Sequence, residues 1–119
     1  MTSFLQSFLF AFKGIKYLLQ GRNFKIQLFL FATICIFGVL VSFTLIEWLL
    51  VLLTSGCVLA AEGINTAIEE LCNLYSTENN TKIARIKDIS AGAVLILSAF
   101  ALIIGLLLLF KYFFTEPGI

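Results

Sequence analysis

Histidine is absent from this 119-residue chain, and its three cysteines, Cys35, Cys57 and Cys72, show no Cys-x-x-Cys spacing. The missing histidine excludes zinc sites of the usual Cys–His kind, histidine general bases, and Ser–His or Cys–His nucleophile pairs. The cysteines read as small apolar packing residues. Charge is also scarce, at 13% of residues, and the net charge is only +1, so bulk charge points to no nucleic-acid partner. There is no Gly-x-x-x-x-Gly-Lys-[Ser/Thr] phosphate loop and no protein-kinase signature. Any chemistry must come from carboxylates, lysines, arginines and bound ions.

What the chain has in abundance is hydrocarbon, with 61% of residues hydrophobic. A soluble domain of this length has too little polar surface to cover so much apolar side chain. The composition therefore implies an all-α integral membrane protein, one domain over residues 1–119. Residues 4–19 carry apolar groups at nearly every turn, with Lys13 and Lys16 among them. No basic segment precedes this run and no small-residue cleavage site follows it, so it is not read as a secretory signal. Two readings stand for it: an amphipathic helix lying on the membrane surface with its lysines toward phosphates, or a partly inserted anchor with no other role.

Gly21 then reads as a helix C-cap and turn. Membrane spans are expected at about 26–46, 48–68 and 91–113. Phe43 to Trp48 reads as a very short reversal, with Glu47 at its tip and Trp48 as an interface anchor. Asn73 to Asp88 is the one polar loop. Ala91, Gly92, Ala93, Ser98 and Gly105 offer small surfaces for close helix approach. Lys13, Lys16, Arg22 and Lys25 precede the first span, Lys82, Arg85 and Lys87 lie in the polar loop, and only Lys111 lies on the other side. The positive-inside rule then puts the N-terminus and the polar loop on the cytoplasmic side of a cell membrane. On that topology the Asn79-Asn80-Thr81 sequon has no glycosylation role. Three spans make a thin bundle whose carboxylates need partners, so a homo-oligomer is expected.

The polar exception among the spans is Ala60 to Leu71, AAEGINTAIEEL. At about 100° per residue, Glu62, Asn65 and Glu69 return to one helix face, with roughly 10 Å of rise between the two acids. Ionisable groups at membrane depth are costly and mark functional sites by default. Phosphoryl transfer suits such a face. It needs a base for the acceptor hydroxyl, a carboxylate for magnesium, and positive charge at the transferred group. Glu62 is the candidate base for a lipid hydroxyl, Glu69 the metal ligand, and Lys87 with Asp88 the phosphate end. Blander readings stay open at this point. Glu62 and Asn65 can satisfy one another, Glu69 and Glu70 can be a solvated helix end, and Lys87-Asp88 an ordinary charged helix start. A non-enzymatic channel or transport subunit fits the same pattern.

Glu62-Gly-Ile-Asn65-Thr-Ala-Ile-Glu69, followed by Lys87-Asp88-Ile-Ser-Ala-Gly-Ala-Val94, resembles the motif pair of the prokaryotic diacylglycerol kinase family, which includes undecaprenol kinases. The openings Phe10-Ala-Phe-Lys13-Gly14-Ile15 and Arg22-Asn-Phe24-Lys25 resemble it too. The resemblance implies a homotrimer of three-span protomers with an N-terminal surface helix. It implies ATP- and magnesium-dependent phosphorylation of a lipid hydroxyl at the cytoplasmic interface. Diacylglycerol is the first expectation for the acceptor, giving phosphatidic acid, and undecaprenol is the alternative. The carry-over makes Glu62 the base, Asn65 its supporting amide and Glu69 a magnesium ligand that also sits at the nucleotide. It puts Lys87 and Asp88 at the nucleotide phosphates, and Glu78, Asn79 and Asn80 where the family contacts nucleotide. One departure is Gly21, which stands where the family usually carries a second metal-binding glutamate.

Overall fold

The computed structural model describes residues 2–76 and 78–115. Among these residues there are four helices and no strand: α1 (Thr2–Leu18), α2 (Arg22–Val41), α3 (Leu45–Tyr75) and α4 (Thr81–Phe114). The last three are each long and apolar enough to cross a membrane, which makes this a multi-pass membrane protein.

The helices overrun the expected spans, because a hydropathy pattern registers only the part of a helix that needs hydrocarbon around it. α3 continues to Tyr75 and α4 starts at Thr81, so the polar loop expected from Asn73 to Asp88 shrinks to 76–80. Asn80 fixes the restart. Its Oδ1 accepts from the backbone N–H groups of Lys82 at 2.9 Å and Ile83 at 3.3 Å, which satisfies two of the free donors of a helix N-terminus. Lys87 and Asp88 therefore sit inside α4, two turns after its start.

Gly21 is not the left-handed C-cap that the sequence suggested. Its φ of −79° and ψ of 137° are extended, and it is the N-cap of α2. α1 closes instead through backbone bonds from Gln20 N–H to the Tyr17 carbonyl and from Gly21 N–H to the Leu18 carbonyl.

The reversal between α2 and α3 occupies residues 42–44. Ser42 adopts a left-handed φ of 61°, and the Phe43 N–H donates to the Gly38 carbonyl at 2.9 Å. This folds Phe43 and Trp48 back over Gly38. A Cβ built on Gly38 would lie 2.3 Å from Phe43 Cδ2 and 2.9 Å from Trp48 Cη2, so glycine is required by that approach. Glu47 is not at the exposed tip of the reversal. It lies in the first turn of α3, is buried, and forms a capping box with Thr44.

α3 is central, with α2 and α4 packed along it, and the molecule is only 19 Å across its thinnest dimension. One layer of helices cannot enclose a core. The buried cluster is small, Phe43, Val51 and Leu108, flanked by Phe31, Phe37, Trp48 and Tyr112. Outward faces carry Phe29, Leu53 and Leu95, all exposed, as expected where lipid is the solvent. The small residues Gly92 and Gly105, expected to admit a neighbouring helix, face open space among the described residues. Close approach occurs instead at Gly63, where an added Cβ would lie 3.0 Å from Leu18 Cδ1. That contact sets the end of α1 against α3.

Candidate active site

The polar residues of α3 form a column, and its partners come from both neighbouring helices. Glu62 and Asn65 are each 6% exposed. Glu62 Oε2 accepts from Gln27 Nε2 of α2 at 3.4 Å, a long hydrogen bond. The Thr66 hydroxyl donates to the Glu62 main-chain carbonyl at 3.0 Å. Asn65 Nδ2 donates not to Glu62 but to Glu69 Oε1, one turn on, at 3.1 Å. One turn further, Asn73 Oδ1 accepts from Lys87 Nζ of α4 at 2.6 Å. Residues 62, 69 and 73 are spaced by seven and four, which keeps them on one helix face. The column thus reads Gln27–Glu62, Asn65–Glu69 and Asn73–Lys87 over roughly 16 Å of helix rise.

The mutual satisfaction of Glu62 and Asn65 that the sequence left open does not occur. Each carboxylate pairs with an amide N–H group, and in both pairs the amide oxygen is left over. Gln27 Oε1 and Asn65 Oδ1 are buried without a hydrogen-bond partner among the described residues. A buried unsatisfied acceptor costs about 1–3 kcal/mol. Two such atoms beside two carboxylates leave acceptor capacity free at this end of the helix layer.

Glu69 and Asp88 are exposed, as are Glu78, Asn79 and Asn80. The Glu78 main-chain N–H donates to the Ser76 hydroxyl. The Asn80 carboxamide oxygen is committed to capping α4, which gives that residue a structural task. Among the described residues no group of three or more carboxylates, cysteines or histidines comes together for a metal. Glu69 with its amide partner matches the sparser magnesium pattern, in which one or two carboxylates act with substrate phosphates.

Sequence reasoning missed Gln27 and Asn73. Asn73 was legible, because it lies four residues beyond Glu69 on the same face. Gln27 carries the carboxamide at the start of the apolar stretch 26–46, the kind of intramembrane polar residue that signals a partner. Its side chain also lines an open-sided cavity of ≈ 530 Å³ between α2, α3 and α4. The rest of that cavity is largely hydrocarbon, from Leu30 and Ile34 through Val58 and Leu102 to Phe113.

The opposite end of the bundle holds a second acid in different company. Glu47 Oε2 accepts from Lys111 Nζ at 2.8 Å and Oε1 from the Tyr112 hydroxyl. Oε1 also accepts from the Thr44 backbone N–H at 2.9 Å. At the same end Phe37, Phe43, Trp48 and Tyr112 pack edge-on or tilted on one another, with ring centroids 5.3 to 6.1 Å apart.

Three apolar spans with an acid–amide column at the loop end and a Glu47–Lys111 ion pair at the other define a small polytopic membrane protein with an open polar site. Residues 9–109 match the family described as prokaryotic diacylglycerol kinase, and the chain belongs to that family. It is a lipid kinase by family, with ATP as co-substrate. The chain is 33% identical over 109 residues to undecaprenol kinase of Bacillus subtilis (strain 168), covering 91% of this chain and 89% of the relative. It is 34% identical over 103 residues to diacylglycerol kinase of a Synechocystis species, covering 85% of this chain and 59% of the relative. No solved structure matches the chain significantly.

Proposed function

We propose that the protein transfers the γ-phosphoryl group of ATP to the hydroxyl of a membrane lipid at the Glu62–Lys87 column, and that undecaprenol is the acceptor. The observation that carries the site is the Glu62 carboxylate. It is buried at the inner end of the column, held by a neutral amide and by no cation among the described residues. A carboxylate so placed is free to accept a proton from an alcohol.

In the proposed reaction the lipid oxygen attacks the γ-phosphorus as its proton passes to Glu62. The bond from the γ-phosphorus to the bridging oxygen breaks, and ADP leaves. Lys87, held at the top of the column by Asn73, offers its ammonium to the phosphates, and Asp88 lies beside it in sequence. Glu78 and Asn79 face solvent at the same end, where nucleotide would arrive. Asn65 keeps Glu69 turned along the column. Glu69 is the residue that would hold Mg²⁺, which when bound neutralises charge on the phosphates.

The acceptor order reverses the one drawn from sequence. Undecaprenol is favoured by the relative that matches over nearly the full length of both chains. Diacylglycerol remains the second reading, favoured by the family description and by the Synechocystis relative, of which this chain spans 59%. We place α1 on the membrane surface, where its exposed Phe4, Phe8 and Phe12 would face hydrocarbon, and the polar end in the cytoplasm. We assign the chain to a homotrimer, which the single helix layer and the exposed small-residue positions of α4 favour.

The test is phosphate transfer from labelled ATP with Mg²⁺ in micelles, with undecaprenol and diacylglycerol supplied separately. Labelled undecaprenyl phosphate formed in preference to phosphatidic acid supports the reading. The opposite preference moves diacylglycerol to first place. Folded protein that labels neither lipid refutes the kinase reading and revives the transport-subunit alternative.

A further inference from the structure

Gln27 stands where three observations meet. Its N–H group is the side-chain donor to Glu62. Its own carbonyl oxygen is buried with no partner among the described residues. Its side chain is the carboxamide in the wall of the apolar cavity that runs between α2, α3 and α4. A residue kept for packing at this position would be apolar, since an aliphatic side chain would fill the same wall and strand no acceptor. A residue kept as a structural polar link would have both ends of its amide bonded. Gln27 meets neither description.

We propose that Gln27 is a positioning residue for the lipid-phosphorylation step, holding Oε2 of Glu62 so that Oε1 faces the acceptor hydroxyl. This rests on the reading of Glu62 as the base. A carboxylate on a helix can rotate about three side-chain bonds, and a base is useful only when one oxygen lies within hydrogen-bond reach of the proton it removes. Neither Lys87 nor another cation bonds Glu62 among the described residues, so the amide of α2 is what fixes its orientation from across the interface. A neutral donor suits this role, because it orients the carboxylate without the strong pairing that would oppose proton uptake. The packing of α2 on α3 then becomes part of the catalytic geometry. Gln27 acts through Glu62 and takes no part in bond making.

The experiment compares wild type, Gln27→Met, Glu62→Asp and the double variant, each purified in the same micelles. For each, the lipid-kinase kcat, the KM for ATP and the thermal midpoint are measured. Methionine keeps the length and volume of the side chain and removes the donor. The expected result is a kcat for Gln27→Met at least tenfold below wild type, an ATP KM within twofold, and a midpoint equal to or above wild type. In the Glu62→Asp background, where the shortened acid is already out of reach of the amide, adding Gln27→Met is expected to change kcat by less than twofold.

Gln27→Met at wild-type kcat overturns the proposal. So does a fall in midpoint that accompanies the loss of rate, which would make Gln27 a packing residue. A full tenfold further loss on top of Glu62→Asp also overturns it, because the two residues would then act independently. Wild type that phosphorylates no lipid refutes the underlying kinase reading instead, and that failure is distinguishable because the other three outcomes require an active parent.

Discussion

The two ends of the helix layer each bury an acid on α3, and they treat it in opposite ways. At the reversal end Glu47 receives a lysine ammonium, a tyrosine hydroxyl and a backbone N–H. At the loop end, among the described residues, Glu62 receives one long bond from a neutral amide, and two amide oxygens nearby stay unpaired. Burial is the same, 6% exposed in each case. Burial alone therefore does not identify a site. Unspent hydrogen-bonding capacity does, because a structural acid is satisfied within the fold and a reactive one is left open for a ligand.

The sharpest way to test this contrast is to neutralise each acid. Glu62→Gln keeps the volume and removes the proposed base, and is expected to lower lipid phosphorylation by about 10²–10⁴-fold with little change in the thermal midpoint. Glu47→Gln should do the reverse. It breaks a pair whose lysine is 30% exposed, so the full penalty for a buried pair does not apply, and a loss of about 1–3 kcal/mol is expected in denaturant unfolding of the micellar protein. Folded Glu47→Gln protein should phosphorylate lipid at near wild-type rate. If Glu47→Gln abolished turnover in folded protein, the division between the two ends would collapse.

Smaller effects sharpen the same comparison. Gly38→Ala drives a methyl group into Phe43 and Trp48 at the reversal end, and a stability loss of about 1–3 kcal/mol without a specific loss of kcat is expected. At the open end, Asn80→Ala removes the α4 cap and should cost about 1 kcal/mol, read by denaturant unfolding, while shifting the start of the helix that carries Lys87. Gly21→Glu places at position 21 the acid that the resemblance in the sequence led one to expect there. The extended backbone of Gly21 accepts a side chain, with Leu18 O at 3.3 Å from the new Cβ. An exposed carboxylate near a cation is worth about 0.2–1 kcal/mol, so the Mg²⁺ concentration for half-maximal rate should fall by roughly 1.5–5-fold. No change would remove position 21 from the metal's surroundings.

Much of this was legible in the residues. The three spans follow from runs of apolar side chains long enough to cross hydrocarbon, and the Glu62–Asn65–Glu69 face from the helical repeat, which needs no tertiary information. The family follows from motif spacing, and residues 9–109 bear it out. Helix ends were less legible. Past the membrane boundary, hydropathy falls silent while backbone hydrogen bonding continues, so Asn73 and Lys87 read as loop residues although both are helical. Glu47 was misplaced for a related reason. Thr44 and Glu47 carry a visible capping-box spacing, but burial of that acid depends on Lys111 and Tyr112, more than sixty residues away.

The sequence by itself determined the medium, the helices and the face of α3 that carries the acids, because each depends on side chains a few residues apart. Tertiary structure alone decided which partners Glu47 and Glu62 received from other helices. Only the packing of α2 and α4 on α3 gives Glu47 a cation and Glu62 an amide, since charge pairing across helices is a matter of position in space that local spacing does not encode.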